Sequence, residues 1–258
     1  MRSFRQGGGT IMTQTMSEPL RMIQLAIVPA RLYAWARLSG MTLRDQGYLV
    51  HAALRKAFGT AAPQPFVVLE PSRSASAPEL LTVLGYGRAD KHLLAQRMVE
   101  VAQPLLSEAL PGDYMAHKDM PQAWPSGSRF GFRVSCCPIV RTPGGAEKDV
   151  YLAAMERAQD GEQPDREAAY TAWLRRELGR NDAAELLSAS MRAFRLVQPM
   201  RRKERGAPPS TIRTRPETVL EGTLAVRDGA GFAALLERGV GRHRAFGYGM
   251  LLLSPSKE

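Results

Sequence analysis

Short apolar runs and longer amphipathic stretches alternate along this chain, and their order predicts its elements. Met22, Ile23, Leu25 and Ile27 form a brief apolar run suited to a first strand. After Pro29, residues 31–37 read as an irregular aromatic and basic patch with Tyr33 and Trp35. A helical period returns over 46–58, where Leu49, Val50, Ala53, Leu54 and Phe58 form one side, Asp45 can cap the start and Gly59 can end it. Strand patterns at 66–70 and 80–86 flank a Ser/Ala/Pro loop, and a helix is expected from about 90 to 110. Residues 111–128 are rich in Gly, Pro and Ser and read as a loop, and 129–136 alternates as a strand does. Strand, helix, strand, strand, helix, strand is the order of a ferredoxin-like unit.

The second half repeats that order less regularly. Pro143, Gly144 and Gly145 mark 141–149 as a linker. Helices are expected at 150–158, at 166–178 with Ala169, Ala172, Trp173 and Leu178 apolar, and at 230–237; strands are expected at 189–197, 218–227 and the run from Met250 to Leu253. The predicted fold is therefore α+β, with two tandem ferredoxin-like domains at 22–140 and 150–258. Residues 1–21, polar and interrupted by glycine, read as a disordered N-terminal extension.

Charge changes this picture more than composition does. The 258 residues are 44% hydrophobic and 23% charged, as in ordinary globular proteins. Against 25 acidic residues stand 35 Lys and Arg, a net charge of +10, with a sequence pI near 10.0. That balance favours a nucleic acid or another polyanion as partner, and a basic surface kept for solubility is the competing explanation. The only cysteines, Cys136 and Cys137, are adjacent and make neither a disulfide framework nor a zinc site, which points to a cytoplasmic protein. No apolar run approaches the length of a transmembrane helix, so no membrane partner is expected.

Three groups of residues could carry chemistry. Arg195, Arg201, Arg202, Lys203, Arg205, Arg213 and Arg215 form a basic stretch flanked by strands, suited to an arm laid on the phosphates of an A-form RNA stem, though such runs are often only solvated faces. Near the C-terminus Gly239, Gly241, Gly247 and Gly249 surround Arg242, His243 and Arg244, so backbone amides and positive charge could meet a polyanion together. A plain glycine-rich hairpin is the alternative; a dinucleotide-binding loop is a poor one, because it should follow the first strand and open a helix. Tyr48 and His51 lie three apart on the 46–58 helix and share a face. Histidine can donate or accept a proton near neutral pH, and RNA carries its own nucleophile, the 2′-hydroxyl. A lone helical histidine is more often a packed residue, and spacing alone does not separate the two. The sequence has no HExxH and no phosphate-binding P-loop, so no metal and no cofactor is expected.

In chain order these residues resemble the CasE endoribonucleases of type I-E CRISPR systems, of the RAMP superfamily. The resemblance covers about residues 22 to 255. It is carried by Met22-Ile-Gln-Leu, by Arg129-Phe-Gly-Phe-Arg-Val ahead of Cys-Cys-Pro138, by Ala172-Trp-Leu-Arg-Arg-Glu-Leu-Gly179, and by Gly239-Val-Gly with Ala245-Phe-Gly-Tyr-Gly-Met-Leu-Leu. Cys137 stands where that family usually has Asn, and His243-Arg244 where a Gly-Lys pair is common. The resemblance implies two ferredoxin-like domains and catalytic roles for Tyr48 and His51, one orienting or deprotonating the nucleophile and the other acting as acid or base. It implies metal-independent cleavage of CRISPR repeat stem-loop RNA to a 2′,3′-cyclic phosphate or its opened product. It also implies that mature crRNA stays bound and that the other Cascade subunits, its backbone and end-capping proteins, are partners. A non-catalytic RNA-binding subunit capping a guide RNA would share everything but Tyr48 and His51. A nucleotide-binding metabolic enzyme using the glycine loop is a third reading.

Overall fold

The computed structural model describes residues 18–41, 43, 45–69, 80–101, 103–159, 161–198 and 214–256. The first sheet starts from β1 (Arg21–Ile27), whose Ile23, Leu25 and Ile27 point to one face by the two-residue period of a strand. β1 lies between β3 (Leu81–Gly87) and β4 (Ala116–Asp119), and β2 (Phe66–Leu69) pairs with the outer edge of β3. The order β2-β3-β1-β4, antiparallel throughout, is that of a ferredoxin-like sheet. Four helices belong to this unit: α1 (Pro29–Leu38), α2 (Gln46–Phe58), α3 (Lys91–Val101) and α4 (Pro104–Ala109), whose buried apolar residues join those of the strands in one core.

Four sequence expectations are corrected here. The aromatic patch at 31–37 is helix α1, because Pro29 occupies its first turn, where no amide donor is needed, and Leu32, Trp35 and Ala36 are buried at helical spacing. The helix expected over 90–110 is two helices, with Pro104 opening the second. The loop at 111–128 contains β4, a mostly exposed Ala-His-Lys-Asp strand with no apolar alternation to reveal it; Arg21 Nε holds it through Asp119 at 2.9 Å. Residues 129–136, expected as the fourth strand of the first unit, form β5 (Arg129–Cys136) and open the second sheet.

That second sheet has the order β10-β5-β9-β8, with β8 (Ala184–Val197), β9 (Arg215–Val226) and β10 (Leu251–Pro255). It repeats the first sheet's pattern: first strand β5, second β8, third β9 and fourth β10. The expected linker is a hairpin within this unit, β6 (Ile139–Arg141) paired with β7 (Glu147–Asp149). After it come α5 (Val150–Met155), α6 (Arg166–Leu178) and, between β9 and β10, α7 (Gly229–Arg238). Tyr170, Trp173, Leu174 and Leu178 of α6 and Phe232, Leu235 and Leu236 of α7 fill the second core.

The two units share buried surface. Met22 and Leu84, on the face of the first sheet opposite its helices, pack against the second core, and Tyr86 of β3 is buried within it. The Tyr86 hydroxyl donates to the Leu251 carbonyl of β10 at 2.9 Å. No helix among the described residues is long and apolar enough to cross a membrane.

Candidate active site

α2 begins where the Asp45 carboxylate accepts the Tyr48 amide proton at 3.0 Å. Leu49, Val50, Ala53 and Leu54 turn into the first core, which leaves Tyr48 and His51 half-buried on the flank. The second unit covers that flank. Its chain leaves α7 at Gly239, crosses a short 3₁₀ turn at Arg244–Phe246 and enters β10. Gly239, Gly241, Gly247 and Gly249 all have φ between +71° and +88°, a region where a Cβ is unfavourable. The Gly239 amide donates to Leu235 O and the Gly249 amide to Ser135 O, each at 2.7 Å. Those two amides are therefore engaged within the protein, and these glycines serve the loop's shape.

Phe246, in the middle of that loop, joins the loop to the helix. Its ring centroid lies 6.2 Å from Tyr48 in a stacked arrangement and 5.4 Å from His51, edge to face. The close approach depends on Gly47 in the first turn of α2, where a Cβ would stand 2.2 Å from the Phe246 carbonyl oxygen. Burial lowers the His51 pKa below its ordinary 6.5, and the positive charge of Arg55, one turn further along α2, lowers it further. The imidazole is thus neutral at pH 7, able to accept a proton.

The predicted RNA contacts come together around carboxylates. Glu147 of β7 accepts from Arg242 Nε at 3.1 Å on one oxygen, and from Arg215 Nη2 at 3.0 Å and His243 Nε2 at 3.1 Å on the other. Arg215 Nη1 lies 3.1 Å from His243 Nδ1. A guanidinium can only donate, so Nδ1 is the acceptor and the His243 proton sits on Nε2. Burial and then the charge of Arg215 push the His243 pKa down, in keeping with this neutral tautomer. Burial alone would raise the Glu147 pKa, but His243 and Arg215 outweigh it and the carboxyl is held below its ordinary value. On the neighbouring strands Glu217 binds Arg195 at 2.5 Å and the Tyr248 hydroxyl at 2.7 Å. Arg244 donates to the Arg238 carbonyl.

β8 and β9 pair as far as Val197 opposite Arg215. Arg201, Arg202, Lys203, Arg205 and Arg213, which follow β8 in the chain, lie outside the described residues. Of the remaining histidines, His117 on β4 accepts the Lys91 amide through Nδ1 at 3.2 Å, and His92 is exposed on α3. Sequence reasoning missed Gly47, Phe246 and Glu147. An apolar aromatic residue inside a glycine-rich run was the available signal for Phe246; nothing local marks the other two.

A model of the CRISPR-associated protein family matches residues 22–255. Among solved structures, the chain is similar to the CRISPR endoribonuclease Cse3 bound to a 19-nucleotide RNA, with 22% identity and a TM-score of 0.61 over 91% of this chain and 100% of that one. Thermus thermophilus Cse3 bound to an RNA representing a pre-cleavage complex gives 19% identity and a TM-score of 0.59, over 92% and 100% of the two chains. The CRISPR-associated protein Cas6e from Escherichia coli K-12 gives 19% and 0.51, again over 92% and 100%. At these identities the likeness shows the fold. No curated protein matches the chain significantly.

Proposed function

The chain belongs to the CRISPR-associated protein family, and from that premise we propose that it is an endoribonuclease that cuts the repeat hairpin of precursor crRNA. The observation that carries this reading is the pairing of Tyr48 and His51 on one flank of α2, beneath a basic loop of the other unit. RNA supplies the nucleophile, so the protein needs a proton acceptor, a means of orienting the 2′-hydroxyl and positive charge for the phosphorane. His51, held neutral, takes the 2′-hydroxyl proton, and Tyr48 orients that group by a hydrogen bond. The 2′-oxygen bonds to phosphorus, the bond from phosphorus to the 5′-oxygen breaks, and the 5′-oxygen takes up a proton from solvent water, to which His51 later returns the one it took. The products are a 2′,3′-cyclic phosphate and a 5′-hydroxyl. Arg242 and Arg244 of the loop, with Arg195, Arg215 and the basic residues 201–213, supply the charge that holds RNA. The protein keeps the mature crRNA and joins the other Cascade subunits with it, in the cytoplasm.

The test is a repeat hairpin incubated with the protein in EDTA. Cleavage should persist, and a hairpin with a 2′-deoxy nucleotide at the scissile position should bind but stay intact. Binding of the unmodified hairpin without any cut would instead favour a non-catalytic capping subunit.

The proton-acceptor role also fixes the direction of the pH dependence. The neutral imidazole is the active form, so kcat/KM, which reports the free enzyme, should fall as pH drops through the lowered His51 pKa and be level above it. Arg55→Gln removes a charge that disfavours the imidazolium, so the acid limb should move to higher pH. An unmoved limb in Arg55→Gln would remove His51 from the base role.

A further inference from the structure

We propose that Glu147 is a positioning residue for the His51 site, acting through His243 and Phe246. A carboxylate among cations that bind phosphate weakens that binding, so its contribution must come from what it holds. Glu147 ties together three segments distant in sequence: its own strand β7, the start of β9 through Arg215, and the glycine-rich loop through Arg242 and His243. His243 has φ +61°, a left-handed conformation unusual for a residue with a side chain, and its ring is fixed on both nitrogens, by Glu147 and by Arg215. From that fixed residue the turn follows directly. The Phe246 amide donates to the His243 carbonyl at 2.8 Å, and the Phe246 and His243 rings stack at 6.2 Å between centroids. Phe246 also meets Tyr48 and His51. An unbroken series of contacts thus runs from the carboxylate to the imidazole. Oxygen atoms of Glu147 set the ring of His243, His243 sets the turn, and the turn lays Phe246 over His51 and keeps water from it.

This inference rests on reading α2 as the cleaving element, and two measurements on Glu147→Gln separate the one from the other. The amide is isosteric but cannot hold two arginines as a charged acceptor does. The His51 pKa, followed by NMR titration of labelled histidine in the RNA-free protein, should rise toward 6.5 as Phe246 loosens and water reaches the ring. Single-turnover cleavage at saturating hairpin RNA should fall about tenfold, the scale of a sub-ångström misplacement, while hairpin affinity is unchanged or tighter. Glu147→Asp keeps the charge on a shorter arm and should restore part of both, which also covers poor folding of the glutamine variant. A His51 titration identical to wild type, or cleavage and affinity falling in proportion, overturns the proposal. If the wild-type protein binds hairpin RNA without cutting it while His51 still responds to Glu147→Gln, the positioning role stands and the endoribonuclease reading falls.

Discussion

Replacing His51 by alanine is expected to slow cleavage of a cognate repeat hairpin at saturating RNA by about 10²–10⁴-fold, the usual contribution of a positioned proton acceptor. Hairpin affinity should stay within a few-fold of wild type, because the cations proposed to hold phosphate, Arg195, Arg215, Arg242 and Arg244, are all on the other unit. His51 is only half-buried and the core side of α2 is made by Leu49, Val50, Ala53 and Leu54, so the fold should survive. Single-turnover kinetics beside a binding isotherm make the separation visible. Cleavage by His51→Ala at the wild-type rate would remove the imidazole from the mechanism, whatever happens to affinity.

Gly47→Ala is expected to cost nearly as much activity by a different route. Alanine is the better helix former by about 1 kcal/mol, so propensity alone predicts a stabler α2. The structure opposes this, because the added Cβ would stand 2.2 Å from the Phe246 carbonyl oxygen and 3.1 Å from its carbon. Those are backbone atoms and cannot swing aside, so the loop must retreat by about 1 Å, a displacement that can cost on the order of 10²-fold in rate. The two opposing terms leave thermal stability near wild type while single-turnover cleavage drops about 10²-fold. A variant that unfolds earlier and cuts at the wild-type rate once folded would show that contact between loop and helix does not matter to the chemistry.

Both expectations concern a junction that was only partly legible in the sequence. His51 and Tyr48 could be placed on one helix face from their spacing and the cap at Asp45, since helical geometry is local. Gly47 is an unfavourable helix residue by propensity, and the reason for it lies about two hundred residues away in Phe246. Glu147 sat in a stretch read as a linker from Pro143, Gly144 and Gly145, and three polar residues in a short strand carry no periodicity to oppose that reading. Only the assembled hairpin brings that carboxylate to Arg215, Arg242 and His243.

The fold divides in the same way. Apolar period and turn chemistry were enough to determine α2, α6 and β5 as elements and the α+β, ferredoxin-like class, since each element is written in consecutive residues. They did not determine which sheet β5 joins, because pairing partners are chosen by tertiary packing. β4 was hidden for a related reason: it is a polar edge strand held by pairing with β1 and by Arg21, and no apolar face announces it. The sequence by itself determined the helix that carries Tyr48 and His51 and the loop rich in glycine and arginine. Tertiary structure alone decided that the two meet, because their contact depends on a missing Cβ, one aromatic ring and a carboxylate from three separate parts of the chain.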